Sequence, residues 1–348
     1  MGGGAVDNEQ GEFMRVSSGS ESMAKFEPKS ETQGDVISTE HHSLRILVTG
    51  GTGFIGTRLI AVLHHLNHRV TLLVRDKATA RTLVDDRTYL ISDLSLLGNK
   101  AVFDVIINLA GEPLAKERWT PQSKSRFIQS REAVTRAIFQ LVRRLEHKPE
   151  VLINGSAIGY YGPHDDELLN ESGAVSDSFS HQLCQRWENA AMEFESLGVR
   201  VCCLRIGIVL GRDGGPLKEL RSSFDWGCAL TLGSGKQWMS WIHRDDLIAM
   251  ILFLVRNKHL SGAFNGTAET PVTAVTFTDV LRQFIRAPLK LRMPAKLLSL
   301  IVGEMADEIL LTGQRVIPER LLDAGYSFQY PSLADALSAI VGPPLADD

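Results

Sequence analysis

The chain has 348 residues, 44% of them apolar and 22% charged, and its 37 Lys and Arg against 41 Asp and Glu leave a net charge of −4. These proportions are those of an ordinary soluble globular protein and exclude a largely disordered or collagen-like chain. The slightly acidic balance argues against a dedicated nucleic-acid binder. No apolar run approaches the ~20 residues that span a bilayer, Leu247 to Val255 being the nearest, so no membrane partner is expected.

The four cysteines, Cys184, Cys202, Cys203 and Cys228, form no C-x-x-C pair. A zinc pattern is absent from their spacing, so no metal site is expected. So few cysteines in so long a chain suit a reducing compartment, and the cytoplasm is the expected location.

Residues 1–43 contain Gly2-Gly3-Gly4, scattered Ser and Glu and few apolar positions, and they are expected to form a disordered tail. No apolar stretch follows a basic start, and acids at Asp7, Glu9, Glu12 and Glu21 speak against a transit peptide. Order is expected from Leu44. The apolar run Leu44 to Val48 reads as a strand ending in Thr49-Gly50, and residues 57–66 carry apolar positions at helical spacing. Further strands are predicted at Val70 to Val74, Thr88 to Ile91, Val102 to Leu109, Val151 to Ile153 and Val199 to Leu210. Helical patterns lie at Arg126 to Leu145 and Gln182 to Leu197. Strands alternating with helices predict βαβ units and an α/β fold with a doubly wound parallel sheet.

Between the first strand and helix, Gly50, Gly53 and Gly56 form G-x-x-G-x-x-G within Thr49-Gly50-Gly51-Thr52-Gly53-Phe54-Ile55-Gly56. One glycine permits the tight turn, a second lets backbone amides approach a pyrophosphate, and the third lets helix and strand pack closely. The helix N-terminus adds free amides and a partial positive charge. The turn, with Phe54 and Ile55, is therefore a candidate dinucleotide cradle.

The end of the second strand selects the cofactor. An acid there bonds the adenosine ribose hydroxyls of NAD, while an arginine accommodates the 2′-phosphate of NADP. The strand ends Leu73-Val74-Arg75-Asp76, so Arg75 is the candidate for the 2′-phosphate and NADP (NADPH) the expected cofactor. Asp76 keeps NAD open. Asp93, after the third strand, is placed near the adenine or on the surface.

These features resemble the extended short-chain dehydrogenase/reductase superfamily over residues 44–340. The resemblance rests on Thr49 to Gly56, Asn108-Leu109-Ala110-Gly111, Leu204-Arg205-Ile206-Gly207 and Trp241-Ile242-His243-Arg244-Asp245-Asp246. Within it the chain looks like an atypical epimerase-like branch, often labelled cell-division-inhibitor-like. The branch features are Glu112-Pro113, Arg118-Trp119-Thr120, Ser130-Arg131, Ser156 to Gly162 and Trp187-Glu188, with Gly303 to Asp307 and Gly313 to Val316 near the C-terminus. The resemblance implies a Rossmann domain over 44–285 that includes the substrate-cleft loops, and a small, partly helical C-terminal domain over 286–348 that packs across the cleft as a lid. It also implies NADP-type cofactor binding at Leu109, Ala110 and Gly111 besides the glycine turn. Members of the superfamily often pair, so a homodimer is an expectation.

Most members use Ser or Thr with a Tyr-x-x-x-Lys pair. A free tyrosine, with a pKa of ~10, is a poor base until a lysine lowers it. This chain departs from that set. Aligned on Glu188, Ser180 stands at the Tyr position and Cys184 at the Lys position. Ala157 falls where Ser or Thr is expected, with Ser156 one place earlier. Ser156 is therefore a candidate to face the ligand, and Tyr161 a candidate to replace the missing acid. His181 is a weaker candidate for proton transfer. Glu112, Arg131 and Trp238 are expected to contact substrate, with Arg118 a further anion-binding candidate, while Asp245 and Asp246 read as caps of a helix start. Two functions remain open: an NADP(H)-dependent oxidoreductase or epimerase acting on an unidentified small molecule, or a catalytically silent NADP(H) sensor or partner-binding protein, for which the label of the branch it resembles implies a link to cell division.

Overall fold

The apolar runs of the first two hundred residues become strands covered on both faces, as a parallel sheet flanked by helices requires. The structure is a computed structural model and describes residues 43–345, so the expected tail lies almost wholly outside the described residues. The chain opens with β1 (Arg45–Thr49), α1 (Phe54–His65), β2 (Arg69–Leu73), α2 (Lys77–Arg81), β3 (Tyr89–Ile91) and β4 (Val105–Asn108). It continues through α3 (Pro121–Arg144), β5 (Val151–Ala157), β6 (Leu168–Leu169), α4 (Phe179–Met192), β7 (Arg200–Ile206), β8 (Ile208–Leu210) and α5 (Pro216–Asp225). There follow β9 (Cys228–Leu232), β10 (Trp238–Met239), β11 (Trp241–His243), α6 (Arg244–Arg256), β12 (Gly262–Gly266), β13 (Val272–Thr273) and α7 (Ala274–Leu281). The last elements are β14 (Leu289–Met293), α8 (Ala295–Val302), β15 (Arg315–Val316), α9 (Glu319–Asp323) and α10 (Leu333–Val341).

Seven strands form one parallel sheet in the order β3-β2-β1-β4-β5-β7-β12. β1 pairs with β2 on one side and β4 on the other, so the strand order reverses there. That switch point opens a crevice beyond the carboxyl ends of β1 and β4, where open α/β sheets bind ligands. On one face Leu47, Ile106, Leu152 and Val201 pack with Ile138 and Leu141 of α3. The longest apolar run is α6, with Leu247, Ile248, Met250, Ile251 and Leu254 all buried, each contributing about 1.5–3 kcal/mol relative to exposure. Among the described residues no helix is long and apolar enough to cross a membrane.

The run Val199 to Leu210, predicted as one strand, is two. At Gly207 a side chain would lie 2.3 Å from the Ser240 carbonyl oxygen, so the residue leading into β11 crowds the backbone there. The chain leaves the large sheet, and β8 pairs with β11 instead of continuing β7. The C-terminal segment does not stand apart at residue 286. Its β14 pairs with β9 and its β15 with β6, so its strands are completed by earlier ones.

Candidate functional site

At the switch point the backbone approaches so closely that only glycine fits. Gly50 has φ +71°, and a Cβ on it would sit 2.4 Å from the Leu109 carbonyl oxygen; a Cβ on Gly56 would sit 2.3 Å from that of Gly50. Gly53 is the N-cap of α1, no side chain among the described residues caps the helix, and its first turn carries no acid. The leading amides, at Phe54, Ile55 and Gly56, therefore have no intrahelical partner and face the positive end of the helix dipole. Leu109, Ala110 and Gly111 follow β4 directly beside this turn, with the Leu109 amide donating to the Thr49 carbonyl at 3.1 Å. A cradle that a Cβ would fill, lined by uncapped amides, fits the pyrophosphate of a dinucleotide. The Phe54 ring is a packing element: the Arg244 guanidinium lies 4.7 Å over it, and Gly211, Gly214 and Gly215 press against it.

The end of β2 separates two neighbours. The Asp76 carboxylate caps α2, accepting from the amides of Ala78 at 3.0 Å and Thr79 at 3.3 Å and from the Thr79 hydroxyl. The Thr79 hydroxyl and these amides hold Asp76 below the usual carboxylate range. Arg75 is exposed and has no partner among the described residues. Asp93 is also spent on a cap: it accepts from the Ser95 amide at 2.8 Å and hydroxyl at 2.7 Å. Those bonds account for it locally, without an adenine.

The two hydroxyls expected to do chemistry lie inside a buried network. Ser156 is 3% exposed and donates to Glu188 at 2.6 Å, turning its oxygen toward α4 rather than toward an open cleft. Glu188 receives a bidentate pair from Arg205 at 2.9 and 3.0 Å. Burial opposes the Arg205 charge most strongly, but the hydrogen bonds and charges of Glu188 and Tyr161 together outweigh it and raise the pKa. Tyr161 is 0% exposed, donates to Asn265 at 2.7 Å and accepts from Arg205 at 3.1 Å. Burial pushes the phenol's pKa up. The structure thus differs from the expectation of a substrate-facing Tyr161, because its donor and acceptor are both taken by protein groups. Tyr160 lies beneath Arg205, whose guanidinium carbon is 3.4 Å from the ring centroid.

At the start of α4, Ser180 donates to Glu308 at 2.8 Å, and the amides of Phe179 and Ser180 donate to the same carboxylate at 3.0 Å each. Glu308 comes from the turn after α8, so the C-terminal segment caps the helix that would carry Tyr-x-x-x-Lys. Cys184 is buried, and burial pushes its thiol to about 11, so it is a neutral group with no positive charge to replace that of a lysine. The His181 Nδ1 bonds the Tyr160 carbonyl, which fixes its tautomer with the proton on Nδ1.

Arg131 is spoken for. It donates to the carbonyls of Phe127 at 3.0 Å and Glu112 at 3.2 Å, lies 5.1 Å over the Trp187 ring, and crowds Gly111. Its role here is to hold the loop after β4, not to present a free guanidinium to substrate. The Glu112 carboxylate stands 3.7 Å from both Lys116 and Arg126. Arg118 donates to the Leu300 carbonyl at the end of α8. Trp238 donates to Asp166 at 2.8 Å and carries Arg315 at 4.5 Å over its face. The expected caps of α6 do other work. His243 caps the helix, Asp245 pairs with Arg58 at 2.9 and 3.0 Å, and Asp246 accepts the amides of Gln329 at 2.8 Å and Tyr330 at 3.0 Å. Among the described residues no cluster of His, Cys, Asp and Glu could hold a metal.

Sequence reading named Trp187-Glu188 and Leu204-Arg205 as motifs without seeing that Glu188 and Arg205 meet. The charge of Arg205 inside the apolar run Val201 to Ile206 was the available signal, since buried charges come paired. Glu308 left no such signal, because its partner lies 128 residues away.

A family profile described as "NAD dependent epimerase/dehydratase family" matches residues 46–265, and one described as "Domain of unknown function (DUF1731)" matches residues 293–340. The chain is 35% identical over 314 residues to "Epimerase family protein SDR39U1 homolog, chloroplastic" of Arabidopsis thaliana, covering 87% of this chain and 88% of that protein. It is also 35% identical over 299 residues to "Epimerase family protein SAR0825" of Staphylococcus aureus, covering 85% and 98%. Among solved structures, human epimerase family protein SDR39U1 (isoform2) with NADPH superposes with a TM-score of 0.75 at 30% identity, over 86% of this chain and 99% of that one.

Proposed function

The chain belongs to the NAD dependent epimerase/dehydratase family, and from that premise we propose that it is an NADP(H)-binding oxidoreductase acting on a small molecule, in a reducing compartment such as the cytoplasm. The observation that carries the cofactor choice is the contrast between Asp76, consumed by the α2 cap, and Arg75, exposed beside it without a partner. An acid with both oxygens engaged is poorly placed to bond ribose hydroxyls, while an unpaired guanidinium suits a 2′-phosphate. The solved human relative that contains NADPH supports the same reading.

When bound, the nicotinamide supplies hydride chemistry. The chain's residues bind and orient. The uncapped amides at Phe54, Ile55 and Gly56 hold the pyrophosphate, Arg75 holds the 2′-phosphate, and Leu109 to Gly111 line the opposite side of the turn. Glu112 is carried on the next loop, where Arg131 holds its backbone carbonyl and its carboxylate stands 3.7 Å from Lys116 and Arg126. The Ser156, Glu188, Arg205 and Tyr161 network holds the end of β5 rigid behind that cleft.

A second reading, a cofactor-binding protein without catalysis, is favoured by one observation: Ser180 is tied to Glu308 and Cys184 is buried where the resemblance implies Tyr and Lys. One experiment separates the two. The protein is titrated with NADPH, then incubated with NADPH deuterated at the hydride position and a panel of small carbonyl compounds, and the alcohols are weighed by mass spectrometry. Deuterium in a product supports the oxidoreductase. Tight NADPH binding with no transfer across the panel supports the silent reading. Absence of NADPH binding overturns both.

A further inference from the structure

All strands of the large sheet run parallel, so its amino ends gather at the edge opposite the glycine turn. Arg45 opens β1 and Arg69 opens β2, and the two stand directly opposite each other in the register. Like charges so placed repel unless an anion compensates them. Arg45 is compensated: it reaches Asp104 at 2.6 and 3.0 Å. Arg87, which precedes β3, is likewise held by Asp85 at 2.9 and 3.0 Å. Arg69 is exposed and has no partner among the described residues.

These three arginines line one cavity of about 510 Å³. Val70 and Phe103, both buried, form part of its floor, and Tyr89, 65% exposed, forms part of its wall. The volume falls in the range of small-molecule sites, roughly 300–1,000 Å³. Among the described residues no acid lines it; the two nearby carboxylates are occupied by Arg45 and Arg87. His64, at the far end of α1 from Gly53, also lines it, so it lies about 17 Å along that helix from the phosphate cradle.

We infer that this cavity is a second ligand site, separate from the dinucleotide crevice, for a phosphomonoester carried on a planar ring system of mononucleotide size. The Arg69 guanidinium, uncompensated and planar, takes the phosphate in a bidentate fork. The exposed Tyr89 ring offers a stacking face for the planar body, and the apolar floor shields it from water.

The test uses the full-length chain with AMP and inorganic phosphate as probes, followed by calorimetric titration and by hydrogen–deuterium exchange that locates the contact. AMP is expected to bind more tightly than phosphate and to slow exchange at residues 66–73 and 86–90. Arg69→Ala is expected to weaken AMP by about tenfold or more, the loss of one charge-assisted contact. Tyr89→Ala is expected to weaken AMP and leave phosphate unchanged. Both side chains are exposed, so neither change threatens the fold. Protection confined to residues 50–58 would place AMP in the dinucleotide crevice and overturn the inference. So would full affinity in Arg69→Ala, no binding of AMP, or equal affinity for AMP and phosphate.

Discussion

The hydroxyl of Ser180 and the carboxylate of Glu308 are 2.8 Å apart, and the same carboxylate takes the two leading amides of α4. A residue of the C-terminal segment thus completes the helix that lines the candidate cleft. Lys124 adds an ion pair to Glu304 at 2.6 Å, and Met305 packs with Trp119, Phe127 and Phe179. Glu308→Ala should lower stability by about 1–3 kcal/mol, the range for losing bonds to a charged acceptor, in urea denaturation. It should also speed exchange at residues 303–312. Unchanged exchange there would show that Glu308 does not hold the segment.

The position of Tyr161 makes its role distinguishable. Tyr161→Phe should cost about 1–2 kcal/mol of stability, because Asn265 and Arg205 lose a buried partner, and should leave NADPH affinity unchanged. A variant as stable as the parent but without hydride transfer would instead put the phenol in the chemistry.

Glu188 and Arg205 are a nearly dry ion pair, with side chains 10% and 5% exposed. Glu188→Ala should destabilise by about 3–5 kcal/mol, since it strands the arginine. Replacing both by apolar residues of similar volume should cost less than either single change. A denaturant double-mutant cycle checks this, and strictly additive losses would show that the two residues do not act as a pair.

Much of the fold was legible because its signals are local. Alternating apolar runs gave the parallel sheet, and the glycines at 50, 53 and 56 gave the turn, where a Cβ has no room at Gly50 or Gly56. What escaped was long-range. The run from Val199 breaks at Gly207 only because Ser240 crowds it, and Ser156 and Tyr161 point inward because Glu188, Arg205 and Asn265 meet them there. Asp245 and Asp246 are structural, as their place at a helix start predicts, but their partners are distant ones. A helix-start acid is normally a cap, but Arg58 and the 329–330 backbone reach these two first.

Two residues at the start of α6, the cap His243 and Asp246 in the first turn, should give opposing pH dependences. Burial raises Asp246 from 3.8 to about 6, so its contribution to stability is full below the lower value and lost as pH rises through the higher one. Burial lowers His243 from 6.5 to about 4, so its contribution is full above 6.5 and lost as pH falls through about 4. Asp246→Asn should therefore gain on the parent by about 2–3 kcal/mol between pH ~4 and ~6, read from urea midpoints. A constant difference across that window would show that the Asp246 carboxyl titrates alike in folded and unfolded chains.

The cofactor assignment turns on Arg75, and the most direct measurement is the ratio of NADPH to NADH affinity in the parent and in Arg75→Ala. The parent should prefer NADPH. The variant should lose about tenfold or more for NADPH while NADH binds as before, collapsing the ratio toward unity. Equal affinity for the two cofactors in the parent, or a ratio that survives the substitution, would contradict the account.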